Sequence, residues 1–224
     1  MILSVVVRRR RRRCIRASIE TLVKVRPDRL AVYNYTHMPR IFRSERLINA
    51  SDIPSPEIKL KLMELTIRKL TDAGYVYIGM DHFALPTDSL NKALEDKSLH
   101  RNFMGYTAGK TQLMIGLGMS AISDSWYAFA QNEKKVEDYQ EHVNLGELPV
   151  FRGHLLTDSD LTIRKHILDL ICSLETKWND DLSEEVKSGV LEQLSEIKND
   201  DLLIVEDNKL IVKEEGRMFV RNVC

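Results

Sequence analysis

HRNFMGYTAGKTQLMIGLGMSAIS, residues His100–Ser123, carries more information than any other stretch of this 224-residue chain. It opens basic and aromatic, turns at Gly109, and ends in Gly116-Leu117-Gly118 followed by Met119-Ser120-Ala121-Ile122-Ser123. Glycines spaced G-x-G among apolar residues let backbone approach backbone or ligand closely, because no Cβ stands in the way. Two stretches of the same character lie upstream, YNYTHMP at Tyr33–Pro39 and GMDHFALP at Gly79–Pro86. Each follows an apolar run and mixes aromatic, His or Asp residues ahead of a proline. Active-site loops at the ends of barrel strands have this composition.

The segments between these loops set the fold class. Leu30–Tyr33 reads as a short buried strand, Ser55–Ala73 as a helix and Tyr75–Met80 as a strand. Ser55 before Pro56 is a helix start and Gly74 a stop, with Ile58, Leu62, Leu65 and Leu70 facing a core. Strand, helix, strand is the grammar of a parallel α/β sheet. A further helix is expected over Ser18–Val25, capped by Ser18.

Downstream, Met104–Ile122 reads as β-rich and glycine-punctuated, leading into a helical Lys134–Asn144. Helices follow over Asp158–Lys177, capped by Asp158 or Ser159, and over Ser183–Lys198, with Val186, Val190, Leu191 and Leu194 on one face. Leu202–Val205 and Lys209–Val212 around Glu206-Asp207-Asn208 make a hairpin signature. Helix, helix and hairpin resemble a winged helix. The last helix carries Glu184, Glu185, Glu192 and Glu196, which repel phosphate, so a packing or lid role is expected rather than nucleic-acid binding.

Composition excludes little else. Lys plus Arg equals Asp plus Glu, 33 each, so no global field selects nucleic acid or membrane. Six of the basic residues are the run Arg8–Arg13; the rest of the chain is mildly acidic. Met1–Arg16 is expected to be a disordered tail. No apolar run approaches the ~20 residues of a membrane span. Cys14, Cys172 and Cys224 lack disulfide or metal spacing and read as free thiols of a reducing compartment.

Three local motifs read structurally. Gly105–Thr111, GYTAGKT, has three residues between its glycines where a phosphate loop has four, and no helix follows. His37 and the pair Asp81-His82 show no ligand spacing, so hydrogen-bonded structural roles are favoured on the residues alone. Trp126 and Tyr127 read as core aromatics.

Taken together, DRLAVYNYTHMP (Asp28–Pro39), Pro54–Ala73, GMDHFALP (Gly79–Pro86), HRNFMGY (His100–Tyr106) and GLGMSAIS (Gly116–Ser123) resemble, in this order, one family. The chain is similar to the C-terminal half of oxygen-independent coproporphyrinogen III oxidase, of the radical S-adenosylmethionine superfamily. The likeness runs from about Ser18 to Cys224. It implies the last two strands of an incomplete (β/α) barrel, ending at Tyr33–Thr36 and Ile78–Asp81. A mainly helical C-terminal domain with a winged-helix-like end follows. Expected boundaries are residues 1–16 for the tail, 17–130 for the barrel part and 131–224 for the C-terminal domain.

The resemblance also implies an activity. Coproporphyrinogen III would have two propionates oxidatively decarboxylated to vinyls by a 5′-deoxyadenosyl radical, giving protoporphyrinogen IX in haem synthesis. The cofactors would be S-adenosylmethionine and a [4Fe–4S] cluster on a CxxxCxxC loop. A closed, apolar barrel mouth would protect such a radical. Matched residue by residue, Thr36 falls at the first S-adenosylmethionine and Phe103 and Ile122 near a second; Asp81, His82 and Arg101 are substrate-side candidates. Cytoplasmic placement is expected, or an organelle in a eukaryotic source.

Departures from the pattern bear on activity. CxxxCxxC is absent, Met104 stands where the family has Gln, and Thr36 where it has Ala. The simplest account is a truncated reading frame, inactive without an N-terminal half supplied as a partner. The alternative is a non-catalytic haem- or porphyrin-binding protein related to the haem chaperones of the superfamily.

Overall fold

The computed structural model describes residues 11–178, 182–206 and 208–224, with side chains from Ser18 onward. The chain divides into two compact units, one up to Glu95 and one from Asp96.

The first unit contains α1 (Arg11–Val25), β1 (Arg29–Ala31), α2 (Pro56–Asp72), β2 (Val76–Gly79), β3 (His82–Ala84) and α3 (Ser89–Glu95). Helix α1 begins ahead of Ser18, so that serine lies inside the helix rather than capping it; Arg, Ile and Ala are good enough helix formers to extend it. Helix α2 starts as expected. The Ser55 hydroxyl accepts from the Ile58 N–H at 3.4 Å, Pro56 occupies the first turn, and Gly74 at φ +85° ends the helix.

One core assignment on α2 is corrected. Leu70 is fully buried, but Ile58 is 44% exposed. The residues that pack on the core, Met63, Ile67, Leu70 and the C-cap Ala73, all lie beyond the first two turns of the helix, so its first turn projects beyond the core.

The sheet order is β1-β3-β2, and both pairings are antiparallel. Strands β1 and β2 run in the same direction across α2, as expected, but they do not pair. After Gly79 the chain reverses at Met80, φ +51°, and His82–Ala84 inserts between them. The expected parallel sheet is therefore replaced, and every ladder among the described residues is antiparallel. Leu30, Tyr77 and Phe83 meet across this sheet and join Ile19, Leu22, Leu70 and Tyr75 in one core. Tyr77 stacks on Phe83 with ring centroids 5.1 Å apart, and the Tyr75 hydroxyl donates to the Pro27 carbonyl at 2.7 Å. Each such large side chain contributes roughly 1.5–3 kcal/mol of burial.

The second unit opens with the hairpin β4 (His100–Asn102) and β5 (Gly105–Thr107). Strands β6 (Ile122–Asp124), β7 (Ala128–Asn132) and β8 (Val150–Leu155) form a sheet in that order, with α4 (Val136–Asn144) between β7 and β8. Helix α5 (Asp158–Ser173) leads to β9 (Glu175–Lys177), α6 (Glu184–Gln193), α7 (Ser195–Asn199), β10 (Leu203–Glu206), β11 (Lys209–Val212) and α8 (Val220–Val223). The last sheet has the order β10-β11-β9.

The hairpin and the helix near Lys134–Asn144 match expectation; four details do not. Met104–Ile122 forms only β5 and a lone bridge between Met114 and Asp124, because its backbone bonds go to side chains and turns instead of a ladder. Strand β8 was not foreseen. Helix α5 is capped by Thr157, whose hydroxyl accepts from Asp160 N–H while Asp160 accepts from Thr157 N–H, a reciprocal capping box. It ends at Ser173, where Leu174 turns left-handed at φ +59°, and Glu175–Lys177 pairs as β9 instead. The helix expected over Ser183–Lys198 breaks at Leu194, which the break allows to bury while Val186 stays exposed.

Among the described residues, no helix is long and apolar enough to cross a membrane.

Candidate functional site

In the first unit the chain leaves β1 through Tyr33–Pro39. Thr36 is exposed on this loop. The Tyr35 hydroxyl bonds His37 Nδ1 at 2.9 Å, and Glu45 lies 3.7 Å from the same nitrogen while accepting from the Met38 N–H at 2.5 Å. Loss of hydration and the Glu45 charge raise the Tyr35 pKa above its ordinary value. At the β2–β3 turn, Asp81 Oδ1 and His82 Nδ1 are 2.7 Å apart, both half-buried, and Tyr33 stands edge-on to His82 with centroids 6.5 Å apart. The carboxylate accepts from the imidazole, which favours the tautomer protonated at Nδ1 and orients the ring.

In the second unit the G-x-G reading holds at two positions for different reasons. A Cβ on Gly116 would stand 2.8 Å from the Ile122 carbonyl oxygen, and Gly118 has φ +94°. Buried Asn132 donates from Nδ2 to the carbonyls of Gly116 (3.0 Å) and Gly118 (2.9 Å). The Gly116 N–H donates to Ser123 Oγ at 3.0 Å, and that of Gly118 to the Tyr139 hydroxyl at 3.2 Å. Asn132 clamps the loop. Sequence reasoning missed it, since a lone Asn at a strand end carries no pattern.

Phe103 and Ile122 are placed near this loop's sheet. Phe103, at the β4–β5 turn, is half exposed and edge-on to Phe129 of β7, centroids 4.9 Å apart. Ile122 pairs with Gln131 of β7. Met104 beside Phe103 is exposed. Thr36 belongs to the first unit, Phe103 and Ile122 to the second.

Arg101 lies over the Tyr106 ring at 5.0 Å, and the Tyr106 hydroxyl donates to the Ile171 carbonyl of α5 at 3.0 Å. Its Nη1 is buried with no hydrogen-bond partner among the described residues. Burial pushes the neighbouring thiols up, Cys172 to about 12 and Cys224 to about 11, against a smaller opposing pull from Arg101. Both are free thiols, as expected.

The reading of Trp126 and Tyr127 as core aromatics is corrected. Tyr127 is 65% exposed. Trp126, at φ +68°, carries two cations on its ring, Lys110 Nζ at 3.6 Å and the Arg164 guanidinium at 4.3 Å. Asp124 accepts from the Trp126 N–H at 2.9 Å, which holds the reversal between β6 and β7. The GYTAGKT segment forms β5 and a bend with no helix after it, so phosphate-loop geometry is absent there. Among the described residues no three His, Cys, Asp or Glu side chains converge on a metal position.

Oxygen-independent coproporphyrinogen III oxidase of Pseudomonas aeruginosa is 38% identical to this chain over 213 residues, 92% of the chain and 46% of that protein. The Escherichia coli (strain K12) protein of the same name is 37% identical over 218 residues. The solved structure described as coproporphyrinogen III oxidase (HemN) from Escherichia coli, a radical SAM enzyme, superposes with a TM-score of 0.85 at 36% identity.

This chain belongs to the oxygen-independent coproporphyrinogen III oxidase family.

It spans about half the length of the curated relatives it matches, and the part matched fits the C-terminal half of the oxidase. The superposition covers 93% of this chain and 50% of the solved one, with mixed helix and sheet and no closed barrel. No protein-family model matches the chain.

Proposed function

We propose that this chain is the C-terminal portion of an oxygen-independent coproporphyrinogen III oxidase, acting only together with an N-terminal half. The observation that carries the reading is 38% identity sustained over 92% of the chain. In the proposed reaction each of two propionates on coproporphyrinogen III loses a hydrogen atom, CO₂ and one electron, leaving a vinyl group. Strands β1 and β2 would be the last two of the oxidase's partial barrel. The order α5, β9, α6, α7, β10, β11, with β9 pairing on β11, supports a winged-helix-like end.

A [4Fe–4S] cluster does not fit the residues of this chain. CxxxCxxC is absent from the sequence, and burial raises the Cys172 and Cys224 thiols above their ordinary pKa, which disfavours the thiolate that cluster ligation needs. Bound S-adenosylmethionine would supply the acceptor for the hydrogen atom. Thr36, in the first unit, is the residue proposed for one S-adenosylmethionine, and Phe103 and Ile122, in the second unit, are those proposed for a second. An exposed aromatic ring and a half-buried aliphatic side chain suit a flat base. On the substrate side, His82, oriented by Asp81, offers Nε2 to a propionate or a proton. Arg101 is engaged with Tyr106 and supports the β4–β5 hairpin.

The test is anaerobic conversion of coproporphyrinogen III by this chain alone, and by the chain combined with the CxxxCxxC half of a relative. No product alone and vinyl product from the combination are expected. Turnover by the chain alone would overturn the inactive-alone reading; failure of the combination beside an active full-length relative would overturn the proposal. The absent cluster cysteines favour a second reading, a porphyrin-holding protein without turnover. Tight porphyrin binding by the chain alone, with no product in either arm, would support that instead.

A further inference from the structure

The second unit has a cleft of about 510 Å³ that the proposed chemistry does not use, lined among others by Lys97, His100, Lys110, Trp126, Lys165 and Asp169. Its size is within the range of small-ligand sites. Three ammonium groups face one carboxylate, so the lining is net positive at neutral pH. Lys97 and Lys110 form no ion pair with any described residue, and Lys110 rests on the Trp126 ring. Lysines alone would be an ordinary solvated rim.

His100 makes the difference. It is 7% exposed, lines the cleft, and its ring makes no hydrogen bond to any described residue. Its contacts are the tilted ring of Trp126 at 6.4 Å and the charges around it, Lys110, Arg164 and Asp124. Its ring nitrogens are not among the sealed, unpartnered polar atoms of the described residues, so they stay accessible from the cleft side. Thr162 and Ser173 add hydroxyls to the same lining.

We infer that this cleft is a binding site for an oxyanion, a carboxylate or phosphate group, held by Lys97 and Lys110 and hydrogen-bonded by His100. Charge-assisted bonds from ammonium groups supply the affinity, and the buried imidazole, which can donate from only one nitrogen when neutral, supplies direction. Asp169 opposes a second anionic group on its side of the cleft, so the site takes one oxyanion group rather than a sheet of negative charge.

The test is isothermal titration of the full chain at low salt with inorganic phosphate and, separately, with acetate. Saturable one-site binding of at least one is expected, and the tighter arm identifies phosphate or carboxylate as the group recognised. Lys97→Ala and Lys110→Ala should each weaken it by about 10-fold, the scale of one charge-assisted bond. Both side chains are exposed, so unchanged thermal melting checks the fold. In the unaltered chain the His100 NMR signal should move on titration. Binding unchanged in both variants, an unmoved His100 signal, or no saturable binding of either anion would each overturn the inference.

Discussion

Arg164 of α5 donates from Nη2 to Asp124 of β6 at 2.6 Å and from Nη1 to the Trp126 carbonyl at 2.9 Å. The two side chains are 14% and 10% exposed, so the pair is shielded from water. It ties the helix to the reversal between β6 and β7, and Trp126 and Phe129 both lie against the same guanidinium. Removing one partner strands the other charge. Asp124→Ala should therefore destabilise the chain by about 3 kcal/mol, read as a lower urea midpoint at unchanged slope. A midpoint within error of the unaltered chain would show that the pair is dispensable.

The same pair also acts on His100, in opposite directions. Burial is the main reason its pKa lies below the ordinary value of 6.5; Lys110 and Arg164 push it the same way and Asp124 opposes them. A histidine depressed in the folded state binds fewer protons there than when unfolded. Stability is then fully present above the ordinary histidine value. It is lost as pH falls through that value toward the lowered one. His100→Asn should flatten this acid limb of the stability curve. Asp124→Asn should drive the His100 pKa lower still, followed by proton NMR of its ring; a rise would contradict the electrostatic assignment.

Gly116 and Gly109 make a matched comparison. A methyl on Gly116 meets the Ile122 carbonyl oxygen at 2.8 Å and Ala121 Cβ at 2.9 Å, both fixed, while one on Gly109 meets nothing within 4 Å. Gly116→Ala should cost about 1–3 kcal/mol, in the range of overpacking. Gly109→Ala should leave the melting temperature nearly unchanged. Equal shifts in the two variants would mean that the loop yields at Gly116.

Legibility followed the range of the forces. Ser55, Pro56 and Gly74 act within a few residues of themselves, and α2 forms between them as their chemistry demands. The hairpin at β10–β11 is equally local. What the sequence hid was set across distance. The insertion of β3 between β1 and β2 depends on which edge Phe83 can reach to bury beside Leu30 and Tyr77, and period-two patterning says nothing about strand order. Asn132 and Arg164 act on residues 14 to 40 positions away, with no spacing to betray them. Tyr33, Asp81 and His82 were legible as loop residues, but their mutual orientation was not.

That orientation yields the last prediction. Asp81 Oδ1 sits 2.7 Å from His82 Nδ1, and both side chains are less than one-fifth exposed. An amide cannot replace the carboxylate here, because an acceptor-only group holds the Nδ1 proton and an amide can turn its NH₂ inward. If His82 meets the substrate through Nε2, Asp81→Asn should lower turnover of the combined enzyme by roughly 10–100-fold, as loss of an orienting partner does elsewhere. Stability should change far less, since the turn is also held by the Tyr77 hydroxyl donating to the Met80 carbonyl at 2.8 Å. The discriminating readout is the nitrogen-15 spectrum of His82. A mixture of tautomers in the variant, beside a single one in the unaltered chain, ties the lost rate to imidazole orientation. Full activity with a changed tautomer would remove His82 from the chemistry and leave the pair as a brace of the β2–β3 turn.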